Sequence, residues 1–126
     1  MKAAVYSAYG SPDVLSIAEV ATPVPGEGEV LVRVSATSVN DYDWHLLTGR
    51  PLLNRASGLM RPRYPVLGSD VAGRVEALGA GVTGVEVGDE VFGDVSPHGF
   101  GAFAEYVTAP ASAFAPVPAG LTMQQA

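Results

Sequence analysis

The sequence predicts a mainly β fold, arranged as a partly open β-barrel with one or two short helices. Short apolar runs alternate with polar residues at the two-residue spacing of half-buried strands. Fifteen glycines and ten prolines are spread between these runs rather than gathered in one tract, which is typical of a barrel with many turns. The 126 residues have room for one domain with a single core, and we assign residues 1–126 to it.

The first third of the chain contains three predicted strands. Residues 1–7 and 14–20 are apolar runs separated by Gly-Ser-Pro-Asp at 10–13, and this arrangement predicts a hairpin. Residues 22–28 carry two prolines and are expected to form a loop, because proline cannot serve in a central strand. Residues 30–37 alternate most regularly and predict the clearest strand.

A short helix and a long loop are predicted next. Asn40 or Asp41 can cap the start of the helix, and Gly49 can end it. Residues 50–65 form a polar loop that carries four of the seven basic residues, at positions 50, 55, 61 and 63. Such a loop is either a lid over an anionic ligand or a solvent-exposed loop without a ligand, and the second case is the commoner one.

The best patterned stretch of the chain runs from residue 64 to residue 93. Val71, Gly73 and Val75 share one face of a predicted strand, and Arg74 and Glu76 share the other. The following GAGVTG at 79–84 satisfies the G-x-G-x-x-G spelling of a dinucleotide-binding loop, but that loop works only where a helix begins within it. The residues after it are β-branched or glycine, so we predict a turn, and the strand pattern resumes over 85–92.

The C-terminal part predicts two more strands, at residues 103–108 and 113–117. Thr122 and Gln125 then match the T-x-x-Q capping box, which predicts the start of a further helix.

The charge and the N-terminus exclude several classes of function. A net charge of -6 argues against a general nucleic-acid or anionic-membrane surface, since both call for basic patches. The N-terminus has a single lysine and meets Pro12 and Asp13 before any long apolar run, so it predicts neither a signal peptide nor a membrane span. We therefore expect no nucleic-acid partner, no membrane partner and a cytoplasmic location.

Four segments together resemble one family. They are MKAAVYSAYGSPDVL, EVLVRVSATSVNDYDW, LGSDVAGRVEALGAGVTGVEVGDEVFG and AEYVTAPASAFAPVPAGLT, and they are similar to the N-terminal GroES-like (alcohol dehydrogenase-like) domain of the medium-chain dehydrogenase/reductase superfamily. The most similar subgroup is the zinc-independent quinone oxidoreductases. The resemblance implies a GroES-like barrel whose last helix leads into a nucleotide-binding domain that is absent from this chain. We therefore expect a piece of a longer polypeptide.

The resemblance also bears on metal binding. Zinc-dependent members carry a cysteine, a histidine and a glutamate where this sequence has Asn40, Ser69 and Asp70. An amide and a hydroxyl bind zinc poorly, and the chain contains no cysteine, so we expect no zinc and no other metal site. His45 and His98 are isolated in the sequence and are predicted to be surface residues.

The resemblance places the active-site cleft at residues 39–44. It implies Asn40, Tyr42 and Asp43 as catalytic candidates, because the Asn40 amide or the Tyr42 hydroxyl can donate to an acceptor oxygen that gains negative charge. Asn40 is also the cofactor-binding candidate, in contact with the nicotinamide ribose. An equally weighted interpretation is that Asn40 caps the helix and Asp43 interacts with its positive end.

Three aromatic residues complete the set of candidates. Tyr64 and Phe92 are candidate substrate-binding residues that would wall the acceptor pocket, or else edges of the core. Trp44 is predicted to belong to the core.

The first hypothesis for function is the substrate-side domain of a zinc-independent, NAD(P)H-dependent oxidoreductase that reduces quinones, enones or similar carbonyl compounds. Its partners are that small-molecule substrate and its own nucleotide-binding domain, which supplies NADPH, and a homodimer is compatible with the resemblance. The chain alone is expected to be inactive. The alternative is a non-enzymatic, stand-alone GroES-like module that binds a small ligand or assembles with copies of itself.

Overall fold

The computed structural model describes residues 1–52 and 58–126, and these residues form mostly strands. One α-helix and seven strands follow each other along this part of the chain. In order they are β1 (Lys2–Val5), β2 (Ser16–Glu19), β3 (Glu29–Thr37), α1 (Asp41–Thr48), β4 (Asp70–Leu78), β5 (Glu90–Asp94), β6 (Tyr106–Pro110) and β7 (Phe114–Pro116). The mainly β prediction is therefore confirmed.

The strands of the described residues form two antiparallel sheets. Strands β1 and β2 pair as the predicted hairpin, and the larger sheet has the order β6-β3-β4-β5-β7. An isolated bridge between Ala3 and Ala104 connects the hairpin to the segment that precedes β6. Within the described residues β6 and β7 remain the edges of the larger sheet, so the barrel is not closed.

Strand β4 lies at the centre of the larger sheet, as its alternating pattern requires. Val71 and Val75 are buried on one face while Arg74 is exposed on the other, where its guanidinium contacts the Glu90 carboxylate at 2.6 Å. Gly73 permits the close approach of β3, because a Cβ at this position would lie 2.1 Å from the carbonyl oxygen of Arg33. Glycine in the middle of this strand is therefore a packing requirement.

The core is divided into two clusters. The first is aliphatic and lies under the larger sheet, with Val30, Val32, Val71, Val75, Val91, Val95, Ala102, Val107 and Ala109. The second packs the helix against the hairpin and two loops, with Tyr6, Leu46, Leu47, Leu67 and Phe100. Because the second cluster holds the helix, it also fixes the residues that begin the helix.

Several predicted boundaries are wrong, and each has a local reason. The strand expected from residue 85 begins only at Glu90, since Gly88 turns the chain with a φ of 98°. The strand expected from residue 103 begins at Tyr106; before it, the Phe103 carbonyl accepts the Ala4 N–H, so this segment pairs with β1 first. No helix follows residues 79–84, as predicted.

The helix start predicted at Thr122 has the bonds of a first turn. The Thr122 N–H donates to the Gln125 side-chain oxygen at 3.0 Å, which is one half of the expected capping box. Residues 123–125 form a turn, and the Ala126 N–H donates to the Thr122 carbonyl, which is the i→i+4 bond of an α-helical turn.

Candidate functional site

The candidate site is built around the residue that begins helix α1. Asn40 has an extended backbone and occupies the N-cap position, and the helix ends at Gly49 with a φ of 62°. The backbone N–H of Asn40 donates to the Asp43 carboxylate at 3.0 Å. This is the return half of a capping box, and it supports the helix-capping interpretation of both residues.

Asp43 is buried, and both oxygens of its carboxylate accept backbone hydrogen bonds. The residue is only 2% exposed, and its second carboxylate oxygen accepts the Gly68 backbone N–H at 3.0 Å. The carboxylate therefore connects the start of the helix to the loop that leads into β4. Both oxygens are occupied by backbone donors, which is how a buried carboxylate is accommodated without a cation.

Asp70 lies at the start of β4, and two side chains converge on one oxygen of its carboxylate. The Ser38 hydroxyl donates to Oδ2 at 2.7 Å, and the Asn40 amide nitrogen donates to the same atom at 2.9 Å. The backbone carbonyl of Asp70 accepts the Thr37 hydroxyl at 2.7 Å. The positions after β3, before α1 and at the start of β4 are thus joined in one hydrogen-bonded group.

Ser69 precedes Asp70 in the chain and differs from the residues of this group in having an unpaired side chain. It is 5% exposed, and its hydroxyl oxygen is buried without a hydrogen-bond partner in the structure. Buried polar atoms are normally paired, so such an atom marks either a water position or a functional position.

A cleft of about 530 Å³ opens next to Asp70. It is bounded by the ends of β3, β4 and β5 and by the C-terminal residues, with Ala36, Thr37, Ser38, Asp70, Val71, Ala72, Phe92, Gly93, Asp94 and residues 123–126 lining it. Phe92, predicted from the sequence to wall an acceptor pocket, therefore lies in the same cleft as Asp70. The volume of the cleft is within the range found for sites that bind small molecules.

Tyr42 and Tyr64 lie in a second group, with Phe100 between them. The ring centroids of Tyr42 and Phe100 are 5.5 Å apart, and those of Tyr64 and Phe100 are 5.0 Å apart. Tyr42 is half exposed. The Arg63 guanidinium lies 5.6 Å from the centroid of the Tyr64 ring.

Phe100 was not predicted from the sequence. It is 7% exposed and has a φ of 65°, a left-handed conformation that costs a non-glycine residue about 1–3 kcal/mol. Its neighbours Gly99 and Gly101 also have positive φ. A Gly-Phe-Gly run was the available signal, since glycine on both sides of an aromatic residue permits an unusual backbone there.

Other predicted positions have mixed outcomes. His45 and His98 are exposed, as predicted. Trp44 is 51% exposed, so its assignment to the core is wrong; residues 43, 46 and 47 form the buried face of the helix, and position 44 falls at the edge of that face. Within the basic loop, residues 53–57, including Arg55, lie outside the described residues, and the lid interpretation stays a prediction.

The residues at the family's metal positions do not fit zinc. Asn40 and Asp70 are already hydrogen-bonded to each other, and Ser69 contributes a neutral hydroxyl where zinc prefers thiolate or imidazole. In the described part of the chain, no group of three or more metal-ligating side chains converges. We derive no chemical step through a metal.

The described residues also do not provide a dinucleotide cradle. Gly81 and Gly84 lie in turns with φ of 77° and 78°, and a Cβ at either position would meet nothing within 4 Å. A pyrophosphate loop needs a close helix N-terminus there.

One pKa near the site is displaced. Burial, followed by the neighbouring Tyr9 and then Asp43, raises the pKa of the Tyr6 hydroxyl from 10.0 to about 12. Tyr6 packs in the same cluster as the helix residues and Phe100, and it stays protonated throughout the neutral range.

In the parts of the chain that the structure describes, no helical segment combines the length and the hydrophobicity that a membrane crossing requires.

Comparisons with known proteins connect this chain to a family. Residues 26–119 match the alcohol dehydrogenase GroES-like domain. A chloroplastic quinone-oxidoreductase homolog from Spinacia oleracea is 39% identical over 113 residues, covering 86% of this chain and 32% of that protein. The chloroplastic NADPH-dependent alkenal/one oxidoreductase of Arabidopsis thaliana is 35% identical over 133 residues, covering 100% of this chain and 33% of that protein.

A solved structure shares the whole fold. The quinone oxidoreductase from Coxiella burnetii superposes with a TM-score of 0.87 at 29% identity, over 99% of this chain and 39% of that one. The chain spans about a third of the length of the curated relatives it matches. With its open antiparallel sheet, its single α-helix in the described residues and the matched domain, the chain belongs to the alcohol dehydrogenase GroES-like domain family of the medium-chain dehydrogenase/reductase superfamily.

Proposed function

We propose that this chain is the substrate-side domain of a zinc-independent, NADPH-dependent oxidoreductase that reduces quinones, enones or similar carbonyl compounds. The observation that carries the proposal is the hydrogen-bonded Asn40–Asp70 pair, which occupies the positions of metal ligands in zinc-dependent relatives. The relatives named as quinone and alkenal/one oxidoreductases support the substrate class. A site without metal ligands must stabilise the acceptor oxygen with hydrogen-bond donors.

Two groups of this chain are the proposed donors. A reduced nicotinamide supplies a hydride to the acceptor, and negative charge then develops on the acceptor oxygen. The hydroxyl of the half-exposed Tyr42 and the remaining N–H of the Asn40 amide are the groups that would stabilise this charge. A phenolic O–H is a hydrogen-bond donor, as this role requires.

Asp43 has a supporting role in this proposal. Both of its oxygens accept backbone N–H groups, and the residue is only 2% exposed, so little of the carboxylate is accessible to a substrate. We propose that it holds the end of the helix that carries Asn40 and Tyr42. Phe92 and Tyr64 are proposed to wall the acceptor from the cleft side and from the aromatic side, respectively.

The cofactor and the partners belong to the proposal as well. NADPH would be held by a nucleotide-binding domain of the same polypeptide, with Asn40 near the nicotinamide ribose. The enzyme is proposed to be cytoplasmic, and its polypeptide can act as a monomer or as a homodimer.

The first test is the coding sequence beyond Ala126 together with an activity assay. We expect a strand, a glycine-rich turn and a helix soon after this residue, and we expect the complete polypeptide to oxidise NADPH in the presence of a simple quinone or a short-chain enone. The Tyr42→Phe variant should lower kcat by about tenfold or more, in the range found for loss of one catalytic donor. A stop codon after Ala126 would favour the stand-alone binding module instead.

The second test uses the 126-residue chain alone. Because the described residues lack a dinucleotide cradle, calorimetry should detect no NADPH binding in the micromolar range. Micromolar binding would contradict the assignment of the cofactor to another domain.

A further inference from the structure

Asn40 is held from two sides by carboxylates. Asp43 accepts its backbone N–H at 3.0 Å, and Asp70 accepts its side-chain Nδ2 at 2.9 Å. The Ser38 hydroxyl donates to the same Asp70 oxygen at 2.7 Å and so holds that carboxylate in place. Hydrogen bonds to an ionised acceptor are about twice as strong as neutral ones.

The Asp70 carboxylate constrains which way the Asn40 amide points, in the same sense as the capping box, in which the Asn40 side chain accepts from the Asp43 backbone. An ionised carboxylate only accepts hydrogen bonds, whereas an amide donates from one end and accepts at the other. If the Asn40 amide were rotated by half a turn, its carbonyl oxygen would face Asp70 Oδ2 and two acceptors would repel. The observed rotamer therefore leaves one N–H of Asn40 free to donate elsewhere.

We propose that Asp70 is a positioning residue for the proposed hydride-transfer reaction, and that it acts by fixing the direction of the Asn40 amide. This inference rests on the proposed function, because it is the acceptor oxygen that would receive the free Asn40 N–H. Asp70 itself touches neither the hydride nor the acceptor. Its role is to hold a donor of the site in one orientation before the reaction begins, so that no free energy is spent on reorienting this donor during the reaction.

Asp94 provides a matched control for the charge of Asp70. The two residues are directly opposite each other on β4 and β5, and both line the same cleft. The Asp94 carboxylate accepts the Ser96 backbone N–H at 2.8 Å. Asp70→Ala and Asp94→Ala thus remove equal charge from one cleft, but only the first removes the acceptor of the Asn40 amide.

The first readout is the Asn40 side-chain amide signal in nuclear magnetic resonance spectra of the 126-residue chain. The proton bound to the carboxylate should be displaced from its chemical shift in a free asparagine amide. Asp70→Ala should move this proton toward the free-amide value, and Asp94→Ala should leave it displaced. Unchanged Asn40 signals in Asp70→Ala would overturn the inference, and this readout does not depend on any enzymatic activity.

The second readout exchanges the pair in the complete polypeptide. Asn40→Asp alone places two carboxylates within hydrogen-bonding distance, which cannot both be ionised, so the variant should lose stability. The double variant Asn40→Asp/Asp70→Asn restores one amide–carboxylate bond with its direction reversed. Its unfolding midpoint should therefore return toward that of the wild type.

The activity of the same variants separates positioning from a purely structural role. In Asp70→Ala we expect kcat to fall about tenfold to a hundredfold with the quinone KM within about twofold, the range that misplacement of a catalytic group produces. The exchanged pair should regain stability but not kcat, since it offers no N–H at position 40. Recovery of kcat in the exchanged pair, or wild-type kcat in Asp70→Ala, would overturn the inference. If the wild-type polypeptide itself fails to oxidise NADPH, the proposed function fails, and the amide signals still decide whether Asp70 orients Asn40.

Discussion

The buried carboxylate of Asp43 offers the sharpest test of the local structure. It is 2% exposed and accepts the backbone N–H groups of Asn40 and Gly68, each at 3.0 Å. Replacing it with asparagine keeps the size and one carbonyl acceptor, but puts an NH₂ group against a backbone N–H. One charge-assisted bond is then lost and one buried donor is left facing another donor.

The expected loss of stability follows from these two effects. A hydrogen bond to a charged group contributes about 1.5–3 kcal/mol, and an unsatisfied buried donor costs about 1–3 kcal/mol. We therefore expect Asp43→Asn to lower the free energy of unfolding by about 3 kcal/mol or more. This is a large fraction of the roughly 5–15 kcal/mol that stabilises an ordinary domain.

Urea unfolding followed by circular dichroism measures this loss. With an m-value of about 2 kcal/mol/M, a loss of 3 kcal/mol moves the midpoint down by about 1.5 M. Asp41→Asn is the control, because Asp41 is an exposed acid at the start of the same helix and its removal costs only the interaction with the helix dipole, about 0.3–1 kcal/mol. Equal midpoints for the two variants would refute the bridging role of Asp43.

Three further predictions follow from single residues. Folding raises the pKa of the Tyr6 hydroxyl from 10.0 to about 12, so the unfolded chain loses this proton first and the free energy of unfolding should fall as the pH rises from about 10 to about 12. Denaturant unfolding at several pH values measures this fall, which should be smaller in Tyr6→Phe. Phe100→Ala should lower the free energy of unfolding by about 3–5 kcal/mol for the lost ring. Phe100→Gly should lower it by about 1 kcal/mol less, because glycine accepts a φ of 65° without strain. A lower midpoint of thermal unfolding for Phe100→Gly than for Phe100→Ala would contradict the strained backbone. Gly73→Ala should lower the free energy of unfolding by more than about 3 kcal/mol, since the added Cβ would lie 2.1 Å from a carbonyl oxygen. Gly81→Ala, whose Cβ meets open space, should cost only about 1 kcal/mol. Similar urea midpoints for the two variants would argue against the tight β3–β4 contact.

The sequence was most informative where periodicity is strict. The alternation of residues 30–37 and 70–78 predicted the two central strands, because a strand with one buried face leaves a two-residue signal. Asn40 and Gly49 predicted both ends of the helix, since caps have side-chain requirements of their own. The β-branched residues after residue 81 correctly excluded a phosphate-binding helix.

Sequence was least informative where one segment has two possible partners. The chain at 103–105 pairs first with β1 and only then joins β3, and an apolar run does not reveal which neighbour it will choose. The exposure of Trp44 was missed for a related reason: which face of a short helix is buried depends on what packs against it. A strained residue such as Phe100 leaves only its flanking glycines as a trace.

The amino-acid sequence by itself determined a mainly β fold of the GroES-like type and the residue types of a site without good zinc ligands. Only the tertiary structure decided what these residues do to one another. Asn40 and Asp70 are thirty residues apart in the chain and form a hydrogen bond at 2.9 Å, and Tyr42 meets Phe100 across an even longer separation. Local patterns report the conformation of neighbouring residues, whereas contacts between distant side chains exist only after the strands have paired and the core has closed.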